Sequence, residues 1–193
     1  METNRFETFF DAIIAIVITV LVLKIPQPAS PTLGAFLELE TMYVAYFISF
    51  LILYNLWYAN HNLFGLVESI DNTTLWIYGM MTFVISLIPY FTIWVANNFY
   101  SVPAETMFGI IFIVTHILNT LATRAVYRSN PYNQNLQNIN HNSYYMNLPL
   151  IIIAIGFILT YTIFVPGIYY ACLVSIILWI LIGRLLRRDN DGN

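Results

Sequence analysis

The 193-residue chain is 59% hydrophobic and only 9% charged, with a formal net charge of −3 and a mean hydropathy of +0.72. Soluble domains carry about 25% charged residues, so these values exclude a soluble fold and indicate an all-α, polytopic membrane protein. The small net charge argues against a nucleic-acid partner, and no soluble substrate is expected.

Six apolar segments follow in order, at about residues 8–25, 35–63, 73–96, 104–127, 146–164 and 168–187, each near the ~20 residues that a helical crossing needs. One six-helix domain over residues 1–193 is the expected organisation, with no separate catalytic module. The first segment lacks a small-x-small cleavage site before Pro26, so it is expected to remain in the mature protein. It stops at Lys24-Ile25-Pro26-Gln27-Pro28, where two prolines end a helix. The second opens near Glu38 and Glu40 and closes on Asn60-His61-Asn62. Asp71 and Asn72 precede the third, which carries Pro89 near its far end. Pro103 and Glu105 start the fourth, a favourable pair because proline suits a first turn and carboxylates suit the positive end of the helix dipole. Ser129–Asn147 is polar and rich in Asn and Gln, which predicts a surface loop. Cys172, the single cysteine, lies in an apolar run and reads as packing.

Six threaded helices put Arg5, Arg124, Arg128, Arg184, Arg187 and Arg188 on one side and Lys24 on the other. The positive-inside rule then places both termini in the cytoplasm.

The first segment is the one that carries chemistry. With about 100° between successive side chains, Ala12, Thr19, Val20 and Leu23 fall within about 60° of Ile16, and Asp11 about 140° away. One face is a narrow apolar stripe with one hydroxyl. The other begins with a carboxylate that must be paired or near water, since a charge at mid-membrane costs about 2.5–3.5 kcal/mol on insertion scales. Taken alone, such a stripe is ordinary packing surface.

Arg5-x-x-x-Phe9-x-Asp11, followed by the Ile/Val/Leu run containing Thr19, resembles the signature of the transmembrane protein 175 family of potassium channels. The similarity continues through Trp57-x-x-x-His61-x-x-Phe64 and Asp71-x-x-x-Leu75-Trp76. Phe10 stands where the family motif usually has serine, so any hydrogen bond from that hydroxyl is absent here. The resemblance implies a homotetramer in the lipid bilayer with first helices around the pore, and a potassium-selective path without a backbone-carbonyl filter. It implies an apolar constriction at Ile16 and pore-facing positions at Thr19 and Leu23; Val20 joins them by geometry. The short form implies a prokaryotic plasma membrane.

Arg5, Asp11, Asn60, His61 and Asp71 fall near the cytoplasmic ends of the first three segments and are expected to clamp the pore helix to its neighbours. The aromatic residues Trp57, Trp76, Tyr43, Tyr78, Tyr90, Trp94 and Tyr100 suit interface belts and packing. His116 lies in the fourth segment beside Thr115 and Asn119 with no acidic residue at its spacing, which favours an interhelical hydrogen bond. No Thr-Val-Gly-Tyr-Gly filter, phosphate loop, His-Glu-x-x-His, Gly-x-Ser-x-Gly or cysteine pair occurs. No catalytic set, metal site or cofactor is therefore expected, and the only ion implied is permeant potassium. The rival readings are a proton pathway or secondary carrier, and a non-conducting membrane scaffold.

Overall fold

The computed structural model describes residues 2–67, 69–134, 136 and 147–191. Most of the Asn-rich stretch lies outside the described residues, as do the side chains of Arg184, Arg187 and Arg188. All regular elements among the described residues are helices, and the β-type pairing found there is an isolated bridge between Glu2 and Ser69.

Helix α1 runs from Thr3 to Leu23 without interruption. Its β-branched residues would disfavour helix in water, but in hydrocarbon every backbone N–H and C=O must be bonded within the segment, and a helix does that. Thr3, Phe6, Phe10, Ile14, Val17 and Leu21 recur at three- and four-residue spacing and are buried. That face rests on α3 (Glu40–Phe64), α4 (Asn72–Ser86) and α5 (Ile88–Asn97).

The second and third apolar segments are each divided. A short helix α2 (Leu33–Leu37) precedes α3, and the Thr32 hydroxyl caps it by accepting from the Ala35 N–H at 3.3 Å. The third divides at Leu87 into α4 and α5. Pro89 has no N–H to donate to the Ile85 carbonyl, and the ladder tightens there to three-residue bonds, Leu87 to Val84 and Tyr90 to Leu87, both 3.1 Å.

Helix α6 (Val102–Ser129) packs on α4 and α5, and the pair α7 (Leu148–Thr162) and α8 (Gly167–Asp191) closes over it. Small residues let α7 and α8 meet: a Cβ on Gly156 would stand 2.5 Å from the Ala171 Cβ and 3.0 Å from the Gly167 carbonyl oxygen. The first N–H groups of α8 have no partner within their own helix. Ile168 donates to the Thr160 hydroxyl at 3.0 Å, and Tyr169 donates to the fully buried Glu105 carboxylate at 2.8 Å. Glu105 thus serves α8 across the bundle as well as standing in the first turn of α6.

Among the described residues, α1, α3, the continuous stretch Asn72–Asn97 and α6 are long and apolar enough to cross a membrane; Leu148–Thr162 and Gly167–Leu178 are shorter apolar helices. The chain is an all-helical, multi-pass membrane protein.

Candidate functional site: the outer face of α1 and the polar groups at its start

Because α1 buries one side against α3, α4 and α5, its opposite side is left open. Arg5, Thr8, Phe9, Ala12, Ala15, Ile16, Thr19 and Leu23 are exposed, with Ile16 61% and Leu23 79% accessible. The predicted stripe is therefore the face of α1 that its own subunit does not cover. Val20 departs from it and turns partly inward. The Thr19 hydroxyl donates to the Ile16 carbonyl at 2.7 Å, which leaves its oxygen lone pairs free to accept on the open side. Phe9, the aromatic residue of the motif, is also on this face at 57% exposure.

Phe10 points the other way and is fully buried. Its ring meets Tyr78 at 5.4 Å and Phe64 at 6.0 Å, both edge to face, and Phe6 completes the group. Edge-to-face pairs of this kind are worth about 0.5–1.5 kcal/mol each beyond their buried area. Phe10 thus fills an aromatic nest between α1, α3 and α4.

Four of the five polar residues expected in one clamp occupy three places, and Arg5 is in none of them. In the first, the Trp57 indole N–H donates to Asp11 Oδ1 at 2.9 Å, and His61 Nδ1 lies 2.7 Å from Glu7 Oε1. Trp57 also stacks on His61, with centroids 5.3 Å apart and planes 16° apart. The partner that the Asp11 carboxylate needs is therefore an indole. Sequence reading missed Glu7 and gave Trp57 a place in the motif, in interface belts and in packing, without pairing it with Asp11. The available signal was spacing: Glu7 precedes Asp11 by four residues on one helix, and Trp57 precedes His61 by four on another, so each pair shares a face.

In the second place, Asn60 is 1% exposed. Its amide donates to Leu56 O at 2.8 Å and to Asn119 Oδ1 at 2.9 Å, and its oxygen accepts from the Tyr78 hydroxyl. Asn60 therefore joins α3 to α4 and α6, away from Asp11. His116 lies on the same side of α6 and, with Thr115, Asn119 and Ser175, lines a cavity of 330 Å³ between α3, α6, α7 and α8.

In the third place, Asp71 caps α4, accepting from the Thr74 N–H at 3.2 Å. Interaction with Thr74 holds its carboxyl below the ordinary carboxylate value of 3.8. A group whose folded-state pKa is lowered contributes stability above its unfolded pKa and loses it as pH falls through the folded pKa. Asp71→Ala is expected to cost about 0.5–2 kcal/mol as a lost cap. In detergent, the difference in thermal midpoint from the wild type should be full near neutral pH and shrink below the ordinary value. Asp71→Asn, an equally good cap, should keep the midpoint and lose that pH dependence. Equal midpoints for wild type and the alanine variant at neutral pH would contradict the capping role. Arg5 is exposed and forms no ion pair among the described residues.

Residues 5–89, from the Arg5 motif through Pro89, match the family described as endosomal/lysosomal potassium channel TMEM175. A potassium channel of Chryseobacterium sp. (strain P1-3) is 26% identical over 195 aligned residues, covering 100% of both chains. A potassium channel of Chamaesiphon minutus is 30% identical over 130 residues, 62% of this chain and 64% of the other. The fold is that of the crystal structure of a lysosomal potassium-selective channel TMEM175 homolog from Chamaesiphon minutus, with a TM-score of 0.78 and 23% identity over 93% of this chain and 96% of that one. The match spans α1 to the bend at Pro89, including the open face of α1 and the polar groups beneath it, and over these residues the chain is similar to the TMEM175 family.

Proposed function

We propose that this chain is the subunit of a homotetrameric, potassium-selective channel whose pore is lined by the open face of α1. The observation that carries this reading is the two-sided burial of α1: Phe6, Phe10, Ile14, Val17 and Leu21 are buried, while Ile16, Thr19 and Leu23 are left uncovered. Four copies arranged around an axis would turn that stripe inward. Ile16 forms the constriction, Leu23 a second apolar ring and Thr19 a ring of hydroxyl oxygens between them, with Val20 at the margin. The names of the relatives, potassium channels in both cases, agree with this assignment.

Selectivity in such a pore comes from side chains. Helix α1 contains neither glycine nor proline from Thr3 to Leu23, so its carbonyls are engaged in the helix and are not available to replace an ion's hydration shell as filter carbonyls do. An apolar neck penalises the ion that holds its water more tightly, and sodium does so more than potassium. In the membrane, α7 and α8 complete a six-span unit. Arg5, Arg124 and Arg128 all belong to the end of the bundle where α1 starts and α3 and α6 finish, and Lys24 belongs to the other. That distribution supports cytoplasmic termini, in a prokaryotic plasma membrane.

The test is the reversal potential of purified protein in planar bilayers with potassium on one side and sodium on the other. Reversal close to the potassium equilibrium potential is expected. Reversal near zero would remove selectivity, and absence of unitary currents would overturn the channel reading.

A further inference from the structure

Glu7, Asp11 and His61 bring one ligand atom each to within 4.8 Å of one another. The two carboxylates sit four residues apart on α1, an arrangement in which like charges destabilise a helix. Among the described residues no lysine or arginine pairs with either of them. His61 belongs to the last turn of α3 and has a half-exposed side chain, so the group is open to solutes. We propose that these three residues form a binding site for a divalent transition metal of the zinc class, which ties α1 to α3.

The geometry is close to what such an ion requires. For atoms no more than 4.8 Å apart, a central ion stands at most about 2.8 Å from each, against bonding distances of ~2.0–2.2 Å for zinc to imidazole and carboxylate. Side-chain rotations of under about an ångström close the remainder. Binding separates the His61 Nδ1 and Glu7 Oε1 atoms, now 2.7 Å apart, and replaces their hydrogen bond with two metal bonds. Two carboxylates and one imidazole leave a fourth position for water.

The second observation is Trp57, which orders two of the three ligands. Its indole N–H holds Asp11 Oδ1, and its ring stacks on His61. Outer groups of this kind fix the direction of first ligands and raise affinity, and their removal typically costs 10–100-fold. The imidazole also sets the class of ion. Calcium and magnesium prefer oxygen ligands alone, whereas a mixed imidazole and carboxylate set suits zinc, cobalt or nickel.

The experiment is titration calorimetry of the full, tag-free chain in detergent with zinc chloride, with calcium chloride as comparison. Cobalt then serves as a spectroscopic probe through the visible ligand-field band of a low-coordinate site. One zinc per chain and no calcium heat are expected. Glu7→Gln, which preserves shape, and His61→Ala should each weaken zinc at least tenfold and abolish the cobalt band. Trp57→Phe should weaken binding while retaining the band. His141→Ala, remote in sequence, should change neither. No zinc heat in the wild type, or binding that survives both Glu7→Gln and His61→Ala, would overturn the proposal. These readouts need no conduction, so a failed metal site and a failed channel reading are separable.

Discussion

Ile16→Asn is expected to raise sodium permeability relative to potassium by about tenfold, equivalent to ~1.4 kcal/mol between the two ions. The physical basis is the cost of stripping water in an apolar neck. Isoleucine offers an ion nothing in exchange for lost hydration, and that loss is larger for sodium. Four asparagine amides would supply oxygens and hold water in the neck, so both ions pass hydrated and the difference shrinks. The subunit itself should not notice the change, because Ile16 is 61% exposed, and surface substitutions away from special features usually stay within about 0.5 kcal/mol. The measurement is the shift in bi-ionic reversal potential, read beside the size-exclusion profile and thermal midpoint. An unchanged reversal potential in a variant of wild-type stability would place the constriction elsewhere. Thr19→Val, which keeps shape and removes the oxygen, then separates the hydroxyl ring from the apolar one.

The parts of this molecule that were legible in the sequence are those set by composition and by position along a helix. The apolar runs, the proline at the bend of the third, the motif from Arg5 to Asp11 and the stripe through Ile16 all depend on residues near one another in the chain. Position at one end of the helices was legible too, and it led Arg5, Asp11, Asn60, His61 and Asp71 to be grouped. What that position leaves open is rotation about each helix axis. Asn60 and His61 are adjacent in sequence, yet about 100° of turn between neighbours sends one toward Tyr78 and Asn119 and the other toward Glu7. Asp71 lies at the same end but spends its carboxylate on its own helix. Glu105 shows the same limit from another direction, because the N–H it receives comes from Tyr169, 64 residues away. Glu7 went unassigned because a glutamate in the first turns of a helix ordinarily faces water; its neighbour on α3 makes it part of a site.

Asn60→Leu is expected to destabilise the subunit by about 2–4 kcal/mol, since leaving a buried polar group without its partner costs about 1–3 kcal/mol each and this change strands two. Tyr78 is fully buried and donates its hydroxyl to Asn60, while Asn119 receives the Asn60 amide. Leucine has the same branched outline as asparagine and a larger volume, so the loss would not come from a cavity. Interhelical hydrogen bonds in membranes average only about 0.6 kcal/mol when the unfolded reference finds other partners, which keeps the expected loss below the full sum of about 6 kcal/mol. The double variant Asn60→Leu, Tyr78→Phe decides between these magnitudes. Removing both ends of a buried bond is nearly neutral, so adding Tyr78→Phe should recover part of the loss, a coupling of the kind a mutant cycle isolates. Thermal midpoints in detergent for the two single variants, the double variant and the wild type provide the four corners. If the two single losses simply add, Asn60 and Tyr78 do not act as a pair, and the contact between α3 and α4 at this point rests on apolar packing.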